Sequence, residues 1–450
     1  MLLFCLIAFG LAGIAVNSFL TSRIHIVLLL SAGSIAIISP ISLLFCVFLA
    51  GINFLFLKNV SGKNLLFAFS ILVNIATLFT FHFYENLCKE YSWAHIPVLL
   101  GVSYLTLQFI DYLCKVYFKQ NAAPTDFIKY STAVLYLPKF FSGPVAALPT
   151  IEKELVFAAP DKGVGYGLNR ILLGLFKKLV LAESIAPIVH SVFDFNDLYP
   201  GLTVLTAALL YALQLYFDFS GYSDIAIGVS SLWKIELPEN FNFPFRQKNW
   251  SNFWKSWHSS LTNWLWQYVF NPLYLSFTRK SINKIITYLV CASAVFTCMA
   301  LFNGIRSGFF ISAGVFAFCY LLELLFNTKK SFLYGALVFV CFAIGLIYFR
   351  NTETKQYALL TQQLLDSGNF LPAEWLRLFF APLASGGTQQ DYFNLSVTLI
   401  LSLSFLLFER KIFNLFSTGT INYKAWFVFV LLIFVWGVFS SGERFIYMQF

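Results

Sequence analysis

The sequence predicts an all-α integral membrane protein, and three observations carry that prediction. Of its 450 residues, 59% are hydrophobic and only 11% are charged, whereas a soluble domain carries about 25% charged residues. The apolar residues fall in runs long enough to cross or enter a hydrocarbon core, which takes ~20 residues of helix. The net charge of +9 sits on Lys and Arg at the ends of those runs, the pattern of an interior-facing membrane surface rather than a nucleic-acid footprint.

The first run, Leu2–Leu20, has the length of a secretory leader. It lacks a basic leading region and a small-residue cleavage site, and further runs follow at once, so a retained helix is expected. Ile26–Ile38, Ile41–Leu57 and Leu65–Phe83 come next, then Ile96–Phe118, Gly165–Ile188 and Leu202–Phe219. Ile282–Phe302, Gly308–Phe326, Phe332–Phe349, Asn394–Phe408 and Ala425–Phe439 complete the series. Together they predict about a dozen membrane helices, some short or re-entrant. Arg23, Lys58, Lys63, Lys115, Lys119 and Lys129 share one side if the chain starts outside, which puts Tyr84–Trp93 on the other. No repeat or soluble insertion is visible, so a single membrane domain over 1–450 is expected. Within it, 1–95 form the N-terminal helices, 96–350 the core and 351–450 the C-terminal helices. The eight Cys are scattered, without a C-x-x-C pair or a Cys/His cluster at zinc spacing. They read as small buried apolar residues rather than a metal site or a disulfide framework.

Two polar knots interrupt this pattern. Residues 216–224 (YFDFSGYSD) set Asp218 and Asp224 in an apolar helical run, with Ser220 and Tyr222 between them. The two carboxylates either form a general acid/base pair or hydrogen-bond and orient neighbouring segments. Gly221 permits a turn or a close helix approach. The second knot is Leu237–Asn271, punctuated by Pro238 and Pro244 and closed by Pro272. Proline breaks helices, and a broken helix at membrane depth needs protein or water around it, so a buried polar cavity is expected here. Trp250, Phe253, Trp254, Trp257, Leu261, Trp264, Leu265 and Tyr268 recur at helical spacing, as in an amphipathic interfacial helix with aromatic anchors. On such a helix His258 lies beside Trp254, Leu261 and Thr262. Histidine is the ordinary side chain that takes and returns a proton near neutrality, and an ionisable group in this setting is a functional candidate.

In their order, these knots resemble the membrane-bound O-acyltransferase family, in particular its bacterial alginate O-acetylase and peptidoglycan O-acetyltransferase branch. Seven segments carry the resemblance: Pro97–Tyr117, Leu137–Val145 (LPKFFSGPV), Gly174–Leu179 (GLFKKL), Tyr216–Gly228, Leu237–Phe243 (LPENFNF), Phe253–Leu261 (FWKSWHSSL) and Phe445–Phe450 (FIYMQF). The resemblance implies tilted helices around a transmembrane tunnel, entered by an acyl thioester, often acetyl-CoA, from the cytosol. It implies the bacterial inner membrane, lipid contact and no bound cofactor. The acceptor is a hydroxyl of an exported polysaccharide, reached directly or through a separate extracytoplasmic esterase-like protein. The Tyr216–Asp224 and Phe445–Phe450 segments favour the acetylating branch over D-alanyl transfer.

Two polar positions mark the family's tunnel. The first is His258. The second, forty-five residues on, is Asn303 where the family has His, and an amide does not accept a proton at any useful pH. The family's Arg-Asp after the Trp-His segment is Trp266-Gln267 here. Acyl transfer needs a base and donors for the developing oxyanion, so His258 is expected as the base and Asn303 as the polar donor, both facing one cavity. Ser259 and Thr262 are hydroxyl neighbours of the imidazole and weak candidates for a covalent acyl carrier. Arg246, Lys248 and Lys255 either meet the phosphates of the donor or anchor the membrane surface. The alternative is a relative that has lost its chemistry and binds lipid or donor, or acts as a scaffold. Transport is a third class, without the inverted repeat common in transporters.

Overall fold

A computed structural model describes residues 1–16, 23–90, 99–194, 201–326, 332–351, 354–365 and 389–439. Among them the backbone forms helices, turns and one isolated β-bridge, Phe241 to Trp257. The helices are α1 (Leu2–Val16), α2 (Arg23–Ile38), α3 (Pro40–Asn59), α4 (Asn64–Glu90), α5 (Val102–Tyr117), α6 (Phe127–Val134) and α7 (Leu137–Phe140). They continue with α8 (Leu148–Phe157), α9 (Val164–Phe176), α10 (Glu183–Asp194), α11 (Gly201–Leu232), α12 (Trp250–Ser256), α13 (Ser259–Leu265) and α14 (Asn271–Arg279). The last six are α15 (Lys284–Asn303), α16 (Ser307–Phe326), α17 (Phe332–Arg350), α18 (Thr354–Leu365), α19 (Gln389–Phe416) and α20 (Tyr423–Trp436). The chain is an all-α integral membrane protein.

Six of these helices are long and apolar enough to cross a membrane: α3, Asn64–Tyr84 of α4, α11, α15, Ser307–Leu325 of α16 and Leu333–Arg350 of α17. Leu2–Ala15, Arg23–Ile38 and Tyr423–Trp436 are apolar but shorter. Of the remaining expected runs, Ile96–Phe118 yields the single helix α5 and Asn394–Phe408 lies within α19, while the third is divided. Gly165–Ile188 becomes α9, a π-helical stretch Lys177–Ala182 and α10, with Pro187 inside α10. The Phe445–Phe450 segment lies outside the described residues.

Local sequence explains where the spans begin and stop. Ser39 caps α3, its hydroxyl accepting from the Ser42 N–H, and Pro40 opens the helix where no intrahelical donor is needed. Asn283 caps α15 in the same way. At the other end of α15, Asn303 is followed by Gly304 at φ +142°, a conformation that only glycine adopts without strain.

The chain divides into two compact units, each gathered from three segments. One comprises Met1–Gly174, Tyr222–Glu239 and Leu415–Trp426. Its centre is Trp233, whose indole N–H donates to the Phe9 carbonyl at 2.9 Å. A Cβ on Gly228 would stand 2.6 Å from the Gly167 carbonyl oxygen, so α9 and α11 meet at backbone contact, the small-residue packing that membranes favour. The other unit comprises Leu175–Gly221, Asn240–Asn414 and Phe427–Phe450. There α15, α16 and α17 enclose the aromatic row of α12: Trp254 packs on Phe296 and Phe316 at 5.1 Å, and Trp257 on Phe342 at 4.7 Å. Trp250, Phe253, Trp254 and Trp257 are all buried. This corrects the expectation of interfacial anchors, because the three following helices cover the face that the periodicity assigned to the membrane surface.

A second correction concerns the Tyr216–Asp224 knot. It does not interrupt the helix; α11 runs unbroken for 32 residues from Gly201 to Leu232. Both carboxylates stay inside it because each meets a buried cation of its own unit. Asp218 pairs with Lys178 at 2.6 Å and Asp224 with Arg170 at 2.6 Å.

Candidate functional site

The site is built on a break, not on a helix. α12 ends at Ser256, Trp257 is extended (φ −102°, ψ 123°), and His258 adopts the left-handed conformation (φ 43°, ψ 50°) before α13 begins at Ser259. That conformation costs an L-residue about 1–2 kcal/mol, so surrounding contacts must hold it. They come from Asn240–Asn242, which lie antiparallel to the break. The Asn242 N–H donates to Ser256 O at 3.0 Å and the Ser259 N–H to Asn240 O at 2.9 Å, flanking the Phe241–Trp257 bridge. The continuous helix expected through Trp250–Tyr268 is therefore corrected. His258 stands at the N-terminus of α13, its carbonyl accepting from the Thr262 N–H at 3.0 Å.

The imidazole meets Asn240 and Phe219 instead. Asn240 is fully buried, and its Oδ1 lies 3.2 Å from His258 Nδ1 and accepts from the Ser260 hydroxyl at 2.5 Å. The Phe219 ring stands edge-on to the imidazole at 4.7 Å. His258 is 1% exposed. It lies outside the six spanning helices, and burial pushes its pKa down to about 3, so the ring is neutral across the physiological range. A neutral ring facing a carbonyl oxygen with Nδ1 carries its proton there, which leaves the Nε2 lone pair as the basic position.

Two adjoining cavities lie in the same unit and share Trp254, Phe296 and Met299. The larger, of about 240 Å³, is lined by Ser251, Lys255, Thr262, Trp266, Tyr288 and Tyr320 among others. The smaller, of about 30 Å³, is lined by Trp257, Asn303 and Ser312 in an otherwise apolar wall. Asn303 donates one amide hydrogen to the Met299 carbonyl of its own helix at 2.7 Å. His258 lines neither cavity; its neighbour Trp257 does. Of the two expected tunnel residues Asn303 alone lines one of these two cavities, and the left-handed turn at His258 directs its ring to Asn240 and Phe219.

The remaining expected residues fall in several places. Thr262 lines the larger cavity, but its hydroxyl donates to the Trp257 carbonyl at 3.1 Å, within the turn that opens α13. Ser259 is half-buried and is held through its backbone. Arg246 and Lys248 are exposed, and Arg246 reaches the Leu407 carbonyl at 3.4 Å. Lys255 alone of the three basic candidates lines a cavity, and it is exposed, so it stands at that cavity's rim. Asp218 shares Lys178 with Glu183, all three buried. Asp224 shares Arg170 with the half-exposed Glu239. Ser220 is buried, and its hydroxyl meets no partner among the described residues. The Tyr222 hydroxyl donates to the Pro138 carbonyl at 3.4 Å. Both carboxylates of the knot thus hold their own units together.

Three contributors escape a reading of the sequence by periodicity. Asn240 sits in LPENFNF, a segment that stands out by resemblance without showing which residue meets the histidine. Glu323 accepts from the Trp250 and Ser251 N–H groups at 2.5 and 3.1 Å and from the Ser251 hydroxyl at 2.5 Å. It thereby holds the start of α12, seven residues ahead of the break, and a lone acid in the apolar run of α16 was the available signal. Ser312 gave none.

Comparison with known proteins adds to this geometry. Residues 117–352 match the profile of MBOAT, the membrane-bound O-acyltransferase family. The chain is 34% identical over 181 residues to a probable alginate O-acetylase of Azotobacter vinelandii, covering 40% of this chain and 36% of that protein. It is 30% identical over 234 residues to a peptidoglycan O-acetyltransferase of Helicobacter pylori, covering 45% and 44%. A teichoic acid D-alanyltransferase of Streptococcus thermophilus is 27% identical over 230 residues, covering 48% and 54%. The matches thus span about half or less of these relatives.

Proposed function

The chain belongs to the membrane-bound O-acyltransferase family, and from that premise we propose that it moves an acyl group, acetyl by preference, from a thioester donor to a hydroxyl of an exported polysaccharide. The observation that carries this reading is the Asn240–His258 contact, which sets a neutral imidazole with Nδ1 protonated and Nε2 basic. In the step proposed, Nε2 takes the proton of the acceptor hydroxyl as its oxygen attacks the thioester carbonyl carbon. The carbon–sulfur bond then breaks, and the proton passes from the imidazolium to the departing thiolate. Acyl ester and free thiol are the products, with no change in oxidation state. The hydroxyl must come within about 3 Å of Nε2. His258 is enclosed in the present arrangement, so turnover requires the packing around it to open. Lys255, at the rim of the larger cavity, is the proposed partner of a phosphate of the donor. The setting proposed is the bacterial inner membrane, with a separate extracytoplasmic esterase-like protein as the partner that completes transfer.

Purified protein given radiolabelled acetyl-CoA should release or transfer the acetyl group, and His258→Ala should abolish this. Unchanged turnover in His258→Ala overturns the base assignment.

A second reading is favoured by one observation: Asn303 stands where the family has its second histidine, and His258 lines neither of the two adjoining cavities. On that reading the chain binds the donor without transferring its acyl group. Saturable acetyl-CoA binding with no turnover against any glycan acceptor would establish it.

A further inference from the structure

Two thiols meet between α16 and α17, and the acyl-transfer step uses neither. The two helices run antiparallel, with Phe309 against Phe349 at 5.0 Å, Phe316 against Phe342 at 5.7 Å and the Tyr334 hydroxyl donating to Glu323 at 3.4 Å. A Cβ on Gly345 would run into the Phe316 ring, so the bare backbone there lets the helices close up. In this register Cys319, one turn beyond Phe316, falls opposite Cys341, the neighbour of Phe342. The Cys319 thiol donates a hydrogen bond to the Cys341 sulfur. Both are free and half-buried. A disulfide asks for Cβ atoms about 3.5–4.5 Å apart, and thiols in hydrogen-bond contact on facing turns stand within a side-chain rotation of that geometry.

Position selects the oxidant. Both residues lie within membrane-spanning helices, and their neighbours Phe318 and Leu337 are exposed, as lipid-facing side chains are. A charged, water-soluble disulfide is kept from that depth, whereas a quinone dissolves there. The neighbours also set the consequence. Phe316 packs on Trp254 and Phe342 on Trp257, so these two rings hold α12 and the extended residue before His258. Turnover as proposed requires this packing to open, and a covalent bond beside Phe342 and one turn from Phe316 opposes that. We propose that Cys319 and Cys341 are a redox-modification site, which a lipid-soluble quinone oxidises to a disulfide that holds the packing around Trp257 closed. The two S–H bonds break, one S–S bond forms, and two protons and two electrons leave on the quinone as hydroquinone. A dithiol reverses the change by exchange. The effect on turnover rests on the acyl-transfer reading; formation of the disulfide does not.

The test uses full-length protein in detergent, with decylubiquinone as oxidant and glutathione disulfide as the water-soluble comparison. Trypsin cuts between the helices at Lys329 and Lys330, giving peptides 307–329 and 331–350. After decylubiquinone these should be recovered joined, lighter than their sum by two hydrogens, and dithiothreitol should part them. Glutathione disulfide should join far fewer. Cys319→Ser and Cys341→Ser should each abolish the joined species while turning over acetyl-CoA within about twofold of wild type. In wild type alone, oxidation should slow amide exchange at Trp257 and Ser259 and lower acetyl turnover by about tenfold, reversibly. Peptides that stay apart after decylubiquinone overturn the site, and equal joining by glutathione disulfide overturns the choice of quinone. A disulfide that leaves exchange at Trp257 unchanged overturns the closing effect. If exchange slows while turnover persists, control of activity falls. If the disulfide forms and slows exchange in a protein that shows no turnover in either state, the site stands and the acyl-transfer reading falls.

Discussion

Replacing Asn240 by Ala removes the group that selects the His258 tautomer, and the consequence follows from the geometry. Asn240 Oδ1 accepts from both His258 Nδ1 and the Ser260 hydroxyl, and all these atoms are enclosed. Orphaning a buried donor costs about 1–3 kcal/mol. Each 1.4 kcal/mol is tenfold in an equilibrium. The fraction of enzyme with a basic Nε2 should therefore fall by about 10- to 100-fold, and kcat with it. KM should hold, since Asn240 lines neither cavity. Asn240→Asp probes the same contact by pH. In wild type, burial keeps the imidazole neutral to about pH 3, so the acid limb of the rate should lie well below the ordinary histidine value of about 6.5. The sign for stability follows. Below about pH 6.5 the unfolded chain takes up a proton that the folded chain refuses, so stability falls from there down toward the folded pKa. A carboxylate at 240 stabilises the imidazolium and should move the acid limb upward. The assay is acetyl release from labelled acetyl-CoA between pH 4.5 and 8, with melting in detergent as the fold control. A kcat for Asn240→Ala within twofold of wild type, or an acid limb that Asn240→Asp leaves in place, refutes the assignment.

Three further outcomes are expected. Lys178→Met leaves Asp218 and Glu183 buried without their cation and should cost about 3–5 kcal/mol, read as a lower melting temperature in detergent; adding Asp218→Asn and Glu183→Gln should recover most of the loss. Glu323→Gln keeps one acceptor but sets an amide N–H2 against the start of α12, so it should cost about 1–2 kcal/mol and speed hydrogen exchange at Trp250 and Ser251. Asn303→His puts a larger ring on a 30 Å³ chamber and should lower turnover with acetyl-CoA; a gain in rate would instead mark Asn303 as the remnant of a lost catalytic pair.

Fold class was legible in composition and run length because every backbone polar group in lipid must be satisfied internally, which leaves helices as the economical answer for apolar runs of this length. The failures are equally physical. Asp218 and Asp224 looked like an interruption because a window of sequence shows only neighbours three or four residues away. Their cations, Lys178 and Arg170, are 40 and 54 positions earlier, and once each pair forms, α11 continues through both. The aromatic row from Trp250 had the right period for a helix, yet the period carries on unchanged across the break at Trp257–His258. What ends α12 there is the antiparallel contact with Asn240–Asn242, a non-local interaction with no periodic trace.

That contact also separates what resemblance alone would place together. Two polar positions forty-five residues apart invite the picture of two groups facing one reacting carbonyl. Here His258 is turned toward Asn240 by a left-handed residue, while Asn303 ends α15 at a glycine and faces the chamber. On the proposed reading, the enclosure that keeps the imidazole neutral also lowers its proton affinity, so the packing around it has to open before Nε2 acts as a base. A polarising donor needs the opposite, a wall open to the ligand. On the proposed reading, base and donor stand on different elements of one unit, and Trp257 adjoins both. Its indole ring lines the chamber, and its backbone forms the bridge beside the imidazole. On that reading, a hydroxyl, the basic nitrogen and the acyl carbonyl meet only if the packing around Trp257 opens.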